Sequence, residues 1–162
     1  MNVLKNKSVF ITGASSGIGA ACAKYFAEAG ANLLLCARNF SAIQILAKEL
    51  REAHGVSVHA IELDVRDREQ VKKTLDAFLL QTNSIDILIN NAGLAAGLET
   101  IQEANIDDWE AMIDTNVKGL LYVTRQILPV MIANNAGHII NIGSIAGLMH
   151  SLQILWRNKL RP

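Results

Sequence analysis

Short runs of apolar and β-branched residues alternate along this chain with longer stretches in which apolar side chains recur every three or four positions. The runs predict strands at 8–12, 32–37, 57–63, 86–90 and 138–142. The longer stretches predict helices at 17–29, 40–54, 67–81 and 107–133. In the second helix Ile43, Leu46, Ala47 and Leu50 share one face, and Gly55 follows as a stop signal. In the third, Val71, Leu75 and Phe78 point inward. The fourth is apolar over much of its surface, with Trp109, Met112, Ile113, Val117, Leu120, Leu121 and Val123, and plain burial is the expectation for each of them. This rhythm of strand and helix argues for an α/β fold, a doubly wound parallel sheet of about five strands with helices on both faces. Ligands of such sheets bind beyond the carboxyl ends of the strands, where the strand order switches. Gly13, Arg38, Asp64, Asn90 and Ser144 stand at those ends.

Composition acts mainly by exclusion. A length of 162 residues fits one domain, and 51% hydrophobic residues supply a core rather than a disordered chain. Net charge is zero and the basic residues are scattered, which argues against nucleic-acid or membrane-surface partners. No run is long enough to span a bilayer, and the first residues lack the apolar stretch of a secretion signal, so a cytoplasmic protein is expected. Cys22 and Cys36 fall inside a predicted helix and strand and read as reduced core residues. The histidines show no metal-ligand spacing, and no metal site is expected.

The first strand ends in Gly13-Ala14-Ser15-Ser16-Gly17-Ile18-Gly19 and runs into a helix. Strand, glycine turn and helix in this order make a phosphate site, because glycines let backbone N–H groups approach a pyrophosphate and the helix N-terminus adds partial positive charge. The spacing is Gly-x-x-x-Gly-x-Gly, not the commoner Gly-x-Gly-x-x-Gly. A glycine-rich turn that only packs two elements together is the plainer reading of the motif in isolation. Three further places bear on the choice. Asn90-Asn91-Ala92-Gly93 follows the fourth apolar run, Asn116 sits in Met112-Ile113-Asp114-Thr115-Asn116, and Ser144 ends Asn141-Ile142-Gly143-Ser144. With these features in this order, the chain resembles the short-chain dehydrogenase/reductase family over residues 5 to about 149. From Ile85 to Gly147 it resembles most the branch of NADP-dependent dehydrogenases of serine, allo-threonine and other 3-hydroxy acids.

The resemblance implies a Rossmann-type sheet that is incomplete, with the family's last strands missing. It implies NADP as cofactor and a small hydroxy-acid-like substrate. Gly13, Ser15, Ser16, Gly17, Ile18 and Gly19 would surround the pyrophosphate. Ala37 stands where the family's NAD users tend to carry Asp, and Arg38 after it suits a 2′-phosphate, with Ser15 nearby. An ordinary solvated arginine at a strand end is the alternative. Asp64 and Val65 would border the adenine, although Asp64 reads nearly as well as a helix cap. Asn90, Ala92 and Gly93 would lie along the cofactor ribose, and Asn91 reads as structural. Asn116, a mediocre helix former, would hold a water of the proton relay, and Ser144 would hydrogen-bond the substrate oxygen. The apolar fourth helix would pack against its copy in a homo-oligomer.

The family's proton transfer needs a Tyr about thirteen residues after the Ser and a Lys four further on. Those positions are Arg157 and Arg161 here, and arginine stays protonated near neutral pH. The two tyrosines, Tyr25 and Tyr122, both precede Ser144. Residues 1–150 are therefore expected to form a nucleotide-binding domain, and 151–162 a truncated or frameshifted tail foreign to the family. Such a chain would bind cofactor without turning over. The alternatives are an active oxidoreductase cut by a sequencing error and a non-catalytic nucleotide-binding or interaction module.

Overall fold

The computed structural model describes residues 4–82, 84–97, 99–100 and 102–144. The tail expected at 151–162 and the residues just after Ser144 lie outside the described residues. Five strands form one parallel sheet: β1 (Ser8–Thr12), β2 (Asn32–Ala37), β3 (Val58–Glu62), β4 (Ile87–Asn90) and β5 (His138–Asn141). Their order across the sheet is β3-β2-β1-β4-β5. The chain thus works outward from β1 to β3, then returns to the other side of β1 to lay down β4 and β5. The switch in strand order falls between β1 and β4. Helices α1 (Gly17–Glu28), α2 (Phe40–His54) and α3 (Arg68–Thr82) connect the first four strands. Each predicted strand and helix up to β4 is present, with ends within about one residue of expectation, as is usual for element boundaries.

Alternate residues of each strand face opposite ways, so each central strand feeds two cores. Val9 and Ile11 of β1, Leu33 and Leu35 of β2, and Ile89 of β4 pack with Ala23 and Ala27 of α1 and with Ile43, Ala47 and Leu50 of α2. Phe10, Leu34, Cys36 and Leu88 face the other way, against Val71 and Leu75 of α3 and Val123, Ile127 and Met131 of the last helix. Burial on both faces explains why these strands read as near-continuous apolar runs. Cys36 is fully enclosed. Burial pushes its thiol up to about 12, against a hydrogen bond from the Gly13 backbone, so it is an inert core residue as expected. Cys22 is only partly buried, at the edge of the first core.

The fourth predicted helix departs from expectation in two ways. It is not a uniform α-helix: α4 (Ile106–Ile113) passes into a π-helical turn (Asp114–Gly119) and then into α5 (Leu120–Ala133). It is also not buried all round. Val123, Ile127 and Met131 face the sheet, whereas Ile113, Val117 and Leu121 are 51%, 52% and 57% exposed on the far side. Trp109 is also exposed. Residues four apart share a helix face, so the buried and exposed sets form two separate stripes, and only one of them can meet the sheet. Among the described residues no helix is long and apolar enough to cross a membrane.

At the amino end of the sheet, Asp86 ties three strands together. Its carboxylate accepts from the Ser8 N–H at 2.8 Å and from Lys7 Nζ at 2.8 Å. Its backbone N–H donates to Ser8 O at 2.9 Å, and its carbonyl accepts from the His138 N–H at 2.9 Å. Burial works against the Asp86 charge, but the Lys7 ammonium and the Ser8 N–H outweigh it and hold the carboxyl below its ordinary pKa. A depressed folded-state pKa contributes stability that is present above the ordinary carboxylate range and is lost as pH falls through the folded value. Asp86→Ala is therefore expected to destabilise the fold by about 1–3 kcal/mol near neutral pH, since it strands an N–H donor and an ammonium. The gap in Tm between wild type and variant should shrink as pH drops below about 4. A gap that stays constant through the acid range would remove the carboxylate from the explanation.

Candidate nucleotide-binding cleft

Beyond the carboxyl ends of β1 to β4 lies an open cleft of about 420 Å³. Its floor is the glycine turn, with Gly13, Ser15 and Ser16 on the lining. Gly13 has φ +65°, and a Cβ there would lie 2.8 Å from Ala92 Cα, so both conformation and space require glycine. A Cβ on Gly19 would strike Gly13 O and come within 2.5 Å of Asn91 Nδ2. The missing side chains let α1 and the loop after β4 close on the turn from two sides. Ser16 precedes the first turn of α1 in an extended conformation, and its side chain makes no capping bond. The first turn of α1 carries no acidic residue. The helix N-terminus thus keeps its partial positive charge beside the cleft.

The loop after β4 is fastened to the turn by Thr12 and Asn91. Thr12 Oγ1 accepts from the N–H groups of Asn91 and Ala92, each at 3.0 Å. Asn91 Nδ2 donates to Thr12 O at 3.0 Å and Gly13 O at 3.1 Å. This agrees with the structural reading of Asn91. Thr12 itself was not singled out by sequence, because its role depends on a strand 77 or more positions away. Ala92 and Gly93 line the cleft. Asn90 does not: it is buried, and its Nδ2 donates to Thr124 Oγ1 and Asn141 Oδ1, both at 2.9 Å, linking β4 to α5 and β5.

Arg38 and Asn39 follow β2 on the opposite rim, and Asn39 caps α2 by accepting from the Ala42 N–H at 3.1 Å. Asp64 and Val65 follow β3 and complete that side. The cap of α3 is supplied by Asp67, whose Oδ1 accepts from the Gln70 N–H at 2.9 Å. Asp64 is engaged differently. Its Oδ2 takes Arg66 Nη2 at 2.6 Å, and its Oδ1 takes the Arg66 N–H at 3.0 Å. The Arg66 guanidinium thereby holds the Asp64 carboxyl below its ordinary pKa, against the opposing effect of burial.

The π-helical turn brings Thr115 to the cleft wall, a second residue that sequence reading missed. Its neighbour Asn116 turns aside to the loop. Asn116 Oδ1 accepts from the Leu94 N–H and its Nδ2 donates to Leu94 O, both at 2.8 Å. A π turn holds one residue more than an α turn, and such turns are frequent at functional sites. Ile18 is exposed on the first turn of α1, Gly17 is exposed with open space where a Cβ would stand, and Gly19 is buried against Gly13 and Asn91. Ser144 is exposed three residues beyond the end of β5. No cluster of His, Cys, Asp or Glu among the described residues could hold a metal ion.

The sequence profile described as short chain dehydrogenase matches residues 7–155. The chain belongs to the short-chain dehydrogenase family. It is 46% identical over 139 residues to the NADP-dependent 3-hydroxy acid dehydrogenase YdfG of Salmonella typhi, a match covering 86% of this chain and 54% of that protein. It is 45% identical over 148 residues to the NADP-dependent 3-hydroxy acid dehydrogenase of Schizosaccharomyces pombe, covering 91% and 57%. The crystal structure of serine dehydrogenase from Escherichia coli superposes with a TM-score of 0.80 at 43% identity, covering 87% of this chain and 63% of that one. The chain spans about half the length of the curated relatives it matches.

The close approach at Gly19 is the tightest demand on the cleft. Gly19→Ala is expected to cost about 1–3 kcal/mol through overpacking and to lower the Tm by several degrees. A variant that melts with wild type would show that the turn and the Asn91 loop can separate without cost.

Proposed function

We propose that the cleft binds NADP(H), and that this chain is the cofactor-binding portion of a short-chain dehydrogenase whose relatives exchange hydride between this cofactor and a small hydroxy-acid-like substrate. The observation that carries the reading is the combination of Ala37-Arg38 at the end of β2 with the α1 N-terminus across the cleft. A guanidinium and no carboxylate stand at the end of the strand where a ribose-binding acid would select NAD. The fit to a dinucleotide rests on the chain's own geometry: a turn closed so tightly that a Cβ at Gly13 or Gly19 has no room, and a helix N-terminus left open to an anion.

In this reading Ser15, Ser16, Gly17, Ile18 and Gly19 hold the pyrophosphate, and Arg38 with Ser15 holds the 2′-phosphate. Asp64 and Val65 border the adenine, and Asn90, Ala92 and Gly93 lie along the ribose, Asn90 by shaping the strand end. Asn116 stations a water for proton transfer, and Ser144 hydrogen-bonds the substrate oxygen. When bound, the nicotinamide supplies or accepts the hydride. The relatives named for 3-hydroxy acids and for serine support the substrate class. The exposed stripe Ile113, Val117 and Leu121 supports pairing of this helix with its copy in a homo-oligomer. The two free thiols, Cys22 and Cys36, support a cytoplasmic protein.

Proton exchange with the substrate oxygen calls for a group that titrates, and no Tyr follows Tyr122 in these 162 residues. This polypeptide is therefore expected to bind NADP(H) and to leave nicotinamide absorbance unchanged when supplied with 3-hydroxy acids. Calorimetric titration should show NADP bound at least about tenfold more tightly than NAD, a difference of about 1.4 kcal/mol. Arg38→Ala should abolish that preference while leaving NAD within about threefold. Equal affinity for the two cofactors, or steady turnover by this chain, would overturn the corresponding half of the proposal.

A further inference from the structure

We propose that Arg66 is a cofactor-selectivity residue, because its fork engages the Asp64 carboxylate and so weakens the pull of that charge on Arg38 and its repulsion of a 2′-phosphate beside it. The inference rests on the NADP reading and adds to it a residue outside the cleft lining.

The problem Arg66 addresses comes from the sheet. β2 and β3 are paired in register from Leu33 with Val58 to Ala37 with Glu62, and the Leu63 N–H donates to Ala37 O at 3.2 Å. Arg38 and Asp64 therefore leave neighbouring strand ends and line the same cleft. Adjacent strands are only about 4.8 Å apart. A bare carboxylate at Asp64 would act in one of two ways. It would pair with Arg38 and occupy the guanidinium, or it would stand near the bound phosphate and repel it. Both would favour NAD, which carries no charge at that position.

Arg66 weakens both routes: its hydrogen bonds are the first of the influences that hold the Asp64 carboxyl low, and the charge of Arg38 is the last. The Arg66 Nε lies 3.0 Å from each Asp64 oxygen, its Nη2 lies 2.6 Å from Oδ2, and its backbone N–H donates to Oδ1 at 3.0 Å. A planar fork on a carboxylate is the strong form of the ion pair. The pair is not a loose surface contact. The turn that bears it is closed by the Asp67 N–H on Asp64 O at 3.1 Å and by Gln70 Oε1 on the Asp64 N–H at 3.0 Å. The Asp64 side chain is 27% exposed and the Arg66 side chain 37%, so water screens the pair only in part. The other acid whose charge reaches Arg66 is Asp114, which has its own cation in Lys118 at 2.7 Å. Arg66 is thus left to Asp64, and Arg38 acts on Asp64 through space without an ion pair to it among the described residues.

The test is a binding cycle with NADP and NAD on wild type, Arg66→Gln, Asp64→Asn and the double variant, read by calorimetry. Arg66→Gln is expected to weaken NADP about tenfold and NAD less than about threefold. In the Asp64→Asn background the same change should leave the NADP-to-NAD ratio unmoved, because the charge to be neutralised is gone. Arg66→Lys, which keeps the charge without the fork, should retain most of the selectivity and guards against a folding defect in the glutamine variant. Equal weakening of both cofactors by Arg66→Gln would mean that Arg66 only orients Asp64 toward the adenine, and would overturn the inference. So would a selectivity loss that persists in the double variant. A wild-type chain with no preference for NADP would overturn the cofactor reading itself, whereas a preference that survives Arg66→Gln would overturn this inference alone.

Discussion

The loop after β4 is bolted to the glycine turn after β1, and the rest of the site depends on that join. Thr12 Oγ1 receives two backbone N–H groups and Asn91 Nδ2 reaches two carbonyls, so four hydrogen bonds cross one strand boundary at the point where the strand order switches. The join exists only because Gly13 and Gly19 carry no side chain there. Hydrogen bonds of this kind are each worth about 1 kcal/mol net, but they are costly to leave unmade when buried. Thr12 is 2% exposed, so its hydroxyl has no water to fall back on. The end of β1 and the β4 loop are therefore held together at this point.

How much of this was legible in the sequence follows from the range of each interaction. The strands announce themselves because both faces of β1, β2 and β4 are buried, which forces unbroken apolar runs. The glycine turn, Arg38 and the β4 loop are visible because each sits next to a strand end. Thr12 and Thr115 were missed for the opposite reason. Thr12 looks like an ordinary last residue of a strand until β4 is laid against β1. Thr115 looks like an ordinary helical residue until the π turn rotates it to the cleft. Asp64 was legible as a residue of the cleft lining but not in its bonding, since the capping role that its position suggests is taken by Asp67 three residues on.

The long helix shows where periodicity misleads. A count of apolar residues cannot tell one buried face from two apolar faces, one of which is exposed. The stripe at Val123, Ile127 and Met131 satisfies the sheet by itself. The stripe at Ile113, Val117 and Leu121 has no such duty, and its apolar character needs another cause than the core of this chain. The π turn separates α4 from α5 at the level of the cleft, so that one element presents Thr115 to the ligand side and fastens Asn116 to Leu94.

Polar groups around the cleft divide by what they are already bonded to. Thr12, Asn91, Asn116 and Asp64 each have partners within the protein, which fix how much of their bonding capacity is left for a ligand, whereas Asn90 holds β4 to α5 and β5 through Nδ2 while its buried Oδ1 has no partner. The first turn of α1 and the Arg38 guanidinium are the parts of the lining with positive character and no side-chain acid bonded to them in the described structure. Scaffold and binding surface are thus separated by hydrogen-bond economy rather than by position, since both kinds of residue lie within the same few turns. A ligand fits such a cleft best when its own anions fall on the two unengaged places. Two anionic groups spaced from the first turn of α1 to the end of β2 are what a dinucleotide with a phosphorylated ribose offers, which is why the bonding pattern and the glycine spacing converge on the same cofactor.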